Sequence, residues 1–91
     1  MLYHITTRVA WDAALRTGRY TTDGPFIHLS LDRQWPGVRE RFYRDVPDLV
    51  VLTIDERLVD AEIRYEPADG DDFPHLYGAL EVAAVVTVTA L

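Results

Sequence analysis

The chain has 91 residues, 48% apolar and 26% charged, with a net charge of −6 from fifteen acidic and nine basic side chains, which is the composition of one ordinary globular domain. Cysteine is absent and all nine cations are arginines, so disulfides, thiolate nucleophiles, cysteine-bound zinc and lysine Schiff bases are excluded, and any phosphate or carboxylate would be held by planar guanidinium groups. The acidic balance opposes binding to nucleic acid through its phosphates. No run reaches the roughly 18 apolar residues of a membrane span and Met1-Leu2-Tyr3-His4 lacks the features of a signal peptide, so a cytoplasmic domain is expected.

In chain order, Leu2 to Thr6 alternates as a first strand, with Leu2, His4 and Thr6 on one face and Tyr3 and Ile5 on the other. Thr6 or Thr7 can cap a helix over Arg8–Arg16, whose Trp11, Ala14 and Leu15 share a face before Gly18 stops it. Tyr20 to Pro25 is turn-forming and leads into a strand over Phe26–Leu29, and Ser30 stands where a helix N-cap belongs. Pro36-Gly37 interrupts the pattern that follows and moves the expected helix to Gly37–Tyr43. Leu49–Ile54 is a continuous apolar run of strand length and the best candidate for a fully buried strand. Asp55–Asp60 reads as a loop or single helical turn, Ala61–Glu66 as a strand, Pro67–Asp72 as an acidic turn or mobile loop, and Ala83–Ala90 as the strand that closes the sheet.

Three histidines occur, each followed by an aliphatic and then a hydroxyl-bearing residue: His4-Ile5-Thr6, His28-Leu29-Ser30 and His75-Leu76-Tyr77. In a strand this spacing sets imidazole and hydroxyl side by side with the aliphatic residue behind, so neighbouring strands can build a polar floor. Imidazole suits such a floor because it donates, accepts or transfers a proton near neutrality. Hydrogen bonding inside a half-buried sheet is the simpler use of the same residues. A zinc ion held by all three histidines is a further chemistry that the residue types allow, and their spacing does not decide it. Glu66, at a strand end before Pro67, is the carboxylate placed to orient a histidine or stabilise a developing positive charge. Tyr3, Tyr65, Phe73 and Tyr77 can stack on a flat ligand, and Arg39 or Arg41 can approach a phosphate.

Tyr3-His4-Ile5-Thr6, Trp11 with Ala14-Leu15 and Gly18, Phe26-Ile27-His28-Leu29-Ser30, Arg64-Tyr65-Glu66-Pro67 and Phe73-Pro74-His75-Leu76-Tyr77-Gly78 together resemble the bacterial domain-of-unknown-function family 952. The resemblance covers nearly the whole chain. It implies an α+β fold of ADP-ribosyltransferase-like type, a small split sheet with two flanking helices. By that likeness His4 is similar to the histidine that holds the ribose of NAD. The His28 segment is similar to a second motif followed by an arginine, here Arg41 or Arg39, and Glu66 or His75 takes the third-motif role. The expectation is therefore a polar cleft of His4, Thr6, His28, Ser30, His75 and Tyr77 that binds NAD as co-substrate, ADP-ribose or another phosphate-bearing ligand, for transfer or hydrolysis. Departures are the short chain and the Pro36-Gly37 interruption. A non-catalytic ligand-binding module and a histidine–metal enzyme are the alternatives.

Overall fold

The computed structural model describes residues 1–91 as a small α+β protein with two helices and three small antiparallel sheets. Strands Leu2–Thr7 (β1), Leu49–Ile54 (β4) and Val85–Ala90 (β8) form the first sheet, with β4 in the centre. That central place explains the unbroken apolar run, because Leu49, Val51 and Val50, Leu52, Ile54 are buried on its two faces. Arg19–Tyr20 (β2) pairs with Leu80–Glu81 (β7). Ile27–His28 (β3), Glu62–Ala68 (β5) and Asp71–Tyr77 (β6) make the third sheet in the order β3-β6-β5.

Helix Arg8–Thr17 (α1) starts where Thr7 accepts a hydrogen bond from the Ala10 N–H through its side chain, and ends where Gly18 donates to the Ala14 carbonyl. It sets Trp11 and Ala14 on the larger core, with Leu2, Tyr20, Ile27, Leu29, Leu52, Leu76 and Leu80. Helix Trp35–Phe42 (α2) covers a second, smaller core of Ile5, Val38, Leu49, Val51 and Phe73. No helix is long and apolar enough to cross a membrane.

Three expectations need correction. Ser30 caps no helix. It forms a bridge to Tyr3 with both backbone bonds made, Tyr3 N–H to Ser30 carbonyl at 2.8 Å and Ser30 N–H to Tyr3 carbonyl at 2.7 Å, so the chain leaving β3 crosses to the first sheet before turning. Pro36 does not delay α2. It lies in the first turn, where a backbone N–H has no helical partner to lose, and the helix therefore covers 35–42 instead of 37–43. The acidic stretch 67–72 holds the expected turn but no longer loop. All but Asp69 and Gly70 belong to the β5–β6 hairpin, and those two take positive φ values of 50° and 80°, as a two-residue hairpin turn requires.

That hairpin is tied to the segment before α2. Gln34 is buried; its side-chain oxygen accepts from the Leu31 N–H at 2.8 Å, and its amide nitrogen donates to Asp71 Oδ2 at 3.0 Å and the Asp72 carbonyl at 2.8 Å. Arg33 donates to the same carboxylate at 2.7 Å, and the two side chains together hold the Asp71 carboxyl far below the usual carboxylate range. Pro74 sits in the centre of β6, a place proline normally avoids. Its carbonyl accepts from the Leu29 N–H at 2.9 Å, so its missing N–H faces the point where the neighbouring chain is already leaving for the first sheet.

Candidate functional site

The outer face of the β3-β6-β5 sheet carries the candidate site. Register pairs His28 with His75, Arg64 with His75, Glu66 with Phe73 and Glu62 with Tyr77. Paired residues share a face, so Phe26, His28, Glu62, Arg64, Glu66, Phe73, His75 and Tyr77 stand on one side, while Ile27, Leu29 and Leu76 turn into the larger core.

Glu66 is the hub of this face. One oxygen, Oε1, accepts from the Tyr77 hydroxyl at 2.5 Å and from His75 Nδ1 at 2.9 Å. These two hydrogen bonds, Tyr77's first, hold the Glu66 carboxyl below the ordinary glutamate range, and the carboxylate in turn raises the Tyr77 phenol. A carboxylate can only accept, so the nitrogen facing it is His75 Nδ1–H. The neutral ring then has an unprotonated Nε2. His75 is only 4% exposed, and its Nε2 is buried with no partner. Phe26 stacks on the ring with centroids 3.9 Å apart and planes 18° off parallel.

His28 lies beside it, ring centroids 5.1 Å apart, and its Nε2 is also buried and unpartnered. Burial lowers its pKa, the neighbouring His75 lowers it further, and Asp69 opposes both. Two orphaned imidazole nitrogens side by side are unusual, because buried polar atoms are nearly always hydrogen-bonded. His28 also borders a cleft of about 450 Å³ between α2 and the hairpin tip, lined by Val38, Phe42, Tyr43, Ala68 and Asp69. At the other end of the face the Arg64 guanidinium lies 4.4 Å from the Tyr77 ring centroid and 3.0 Å from Glu62, half exposed.

His28, Glu66, His75 and Tyr77 are thus brought together. Tyr3 and Ser30 sit on the same side, linked by their bridge, with Tyr3 packed on the second core and Ser30 buried. Arg41 stands apart on exposed α2, lining a neighbouring hollow that shares Phe42 and Asp69 with the His28 cleft. His4 and Thr6 belong to the opposite face of β1, inside the larger core, paired with Leu52 and Val50.

His4 is fully engaged there. Its Nδ1 lies 2.7 Å from the His28 carbonyl and its Nε2 2.8 Å from the Tyr20 hydroxyl, which is 2.9 Å from Thr6 Oγ1. Burial lowers its pKa to about 4, so the ring is neutral. Nδ1–H must then donate to the carbonyl and Nε2 accept from Tyr20, which leaves the rotatable Thr6 hydroxyl to donate to the Tyr20 oxygen. The three histidines accordingly do not converge, and no group of three histidine, aspartate or glutamate side chains is placed to hold a metal ion.

Sequence reasoning missed Arg64 and Phe26 as parts of the site, and Tyr20 and Gln34 as buried polar anchors. The alternation of Glu62, Arg64 and Glu66 was the available signal for Arg64, since it fixes all three on one face.

Residues 5–88 match the family described as "Protein of unknown function (DUF952)". Among solved structures the chain is similar to protein CC0527 from Caulobacter crescentus, at 31% identity over 99% of this chain and 84% of that one, with a TM-score of 0.90 to its crystal structure and to that of a double mutant. The solution structure of the same protein gives a TM-score of 0.84, with 83% of that chain covered. No curated protein matches the chain.

Proposed function

The chain belongs to the DUF952 family, and for this member we propose an ADP-ribosyltransferase-like domain whose outer-sheet site takes a nucleotide-type ligand, NAD or ADP-ribose, and transfers or hydrolyses its ADP-ribosyl or phosphoryl group. The observation that carries this reading is the Glu66–His75–Tyr77 set with the unpartnered nitrogens of His75 and His28 beside it. An ionised carboxylate, two imidazoles and a phenol on one face can bind hydroxyl groups, move a proton and stabilise a positive charge developing on a sugar. Phe26 and Tyr77 offer ring faces for a flat base or nicotinamide. Arg64 offers an exposed cation for phosphate, nearer the histidines in the sheet register than Arg41.

One part of the family analogy shifts in this chain. The ribose contact expected of His4 falls to His28 and His75, because His4 has both nitrogens occupied in the core.

A ligand at about 100 times its dissociation constant stabilises a protein by about 2.7 kcal/mol. Thermal unfolding with ADP-ribose or NAD should therefore rise clearly, and the rise should vanish in folded His28→Ala and Glu66→Ala variants. Chromatographic assay of NAD then separates turnover from binding. Stabilisation without product would favour the non-catalytic module, a reading helped by the closure of both free nitrogens in the resting structure. No stabilisation by any nucleotide would remove the proposal.

A further inference from the structure

We infer that His75 is the proton acceptor of this site, presenting a bare Nε2 to a hydroxyl of the ligand or of water, and that Glu66 is its positioning residue rather than the group that meets the substrate. This rests on the group-transfer reading above and assigns roles within it. Glu66 Oε1 already accepts two hydrogen bonds, so the lone pairs of that one oxygen are directed at Tyr77 and His75. His75 has the opposite arrangement: one nitrogen is committed to Glu66, and the other is buried without a partner. The carboxylate fixes the tautomer, and the tautomer leaves the base at Nε2. A solvated histidine prefers the other tautomer, with its proton on Nε2, so the arrangement is imposed by the site.

In the step this geometry serves, the hydroxyl O–H gives its proton to His75 Nε2 while its oxygen bonds to the electrophilic carbon or phosphorus of the transferred group. The bond from that centre to the leaving group breaks, and its electron pair departs with the leaving group. His75 becomes an imidazolium whose Nδ1–H still donates to ionised Glu66, and it later returns the proton to solvent. His75 is only 4% exposed and its Nε2 is buried, so a hydroxyl reaches that nitrogen only when the side chains around it move.

Nitrogen NMR of the ligand-free protein, labelled at histidine, decides the assignment without any turnover. The expected spectrum has an unprotonated Nε2 and protonated Nδ1 for His75 in its neutral ring, and the preference reverses in Glu66→Gln, where the acceptor is no longer a carboxylate. Added ADP-ribose should move the His75 Nε2 resonance upfield as it accepts a hydrogen bond. His75→Asn keeps a donor toward Glu66 but has no atom at Nε2, and it should lose ADP-ribose binding while remaining folded. A His75 Nε2–H tautomer in the wild-type protein would overturn the inference. So would ADP-ribose that perturbs the outer sheet yet leaves Nε2 unmoved. ADP-ribose that perturbs no resonance overturns the nucleotide reading instead, and the ligand-free tautomer still decides the role of His75.

Discussion

Lowering the pH from about 7.5 to about 5 should destabilise the protein by about 2 kcal/mol through His4 alone. The folded chain takes up a proton at His4 only near 4, whereas the unfolded chain does so near the ordinary 6.5. Between those values the unfolded state binds more protons, so stability falls as pH drops through the window and flattens below it. His28 is lowered as well and adds a slope of the same sign. Carboxylates with depressed values, such as Glu66 and Asp71, titrate in the unfolded chain near 4 and act mainly below the window. The contribution of His4 is therefore isolated by comparison with His4→Gln, which does not titrate. At about pH 7.5 that variant should be less stable by about 1–3 kcal/mol, because the His28 carbonyl and the Tyr20 hydroxyl lose well-placed partners. Its further loss on going to about pH 5 should be smaller than the wild type's by about 2 kcal/mol. Urea unfolding followed by tryptophan fluorescence measures both, with Trp11 packed in the same core. Equal slopes in the two proteins would refute the neutral, doubly bonded His4.

Two other perturbations test the frame around the site. A Cβ at Gly78 would lie 2.7 Å from Ala61 Cβ, at a φ of +146°, so Gly78→Ala should cost about 1–3 kcal/mol; adding Ala61→Gly should return part of that loss in the same unfolding assay, and no recovery would argue against the contact. Gln34→Ala leaves the Leu31 N–H, the Asp72 carbonyl and one Asp71 oxygen without this partner and should cost about 1–3 kcal/mol, with faster amide exchange at the β5–β6 hairpin tip than in the first sheet.

Local signals in the sequence carried α1 and β4 almost to the residue. Thr7 and Gly18 mark the two ends of α1 by side-chain capping and a left-handed close, and the apolar run of β4 reflects burial on both faces. Signals failed where neighbours in space decide the outcome. Ser30 followed by Asp32 has the composition of a helix start, yet the backbone groups of Ser30 are taken by Tyr3, twenty-seven residues earlier in the chain (30 − 3). Pro74 argues against a central strand by its missing N–H, and is tolerated because β3 ends beside it. The two-residue strands β2 and β7 have no periodicity to read at all. The chain's membership of the family was legible from its motifs.

The site shows the same boundary more sharply. All three histidines share the His–aliphatic–hydroxyl pattern, and alternation correctly places each imidazole on the same face as its hydroxyl. What alternation cannot state is which face is inward. On β3 and β6 the aliphatic residues Ile27, Leu29 and Leu76 turn to the core, so His28, His75 and Tyr77 meet Glu66 and Arg64 on the outer face. On β1 the partner is β4, which is buried on both sides; Ile5 enters the second core, and His4 with Thr6 must enter the first. A histidine opposite a doubly buried strand has no polar floor to join. It needs a fixed partner on each nitrogen, and the His28 carbonyl and Tyr20 hydroxyl supply them. The bond to that carbonyl ties His4 to the outer face after all: it pins the backbone of the residue whose ring stands beside His75, so the core histidine positions one of the two on that face.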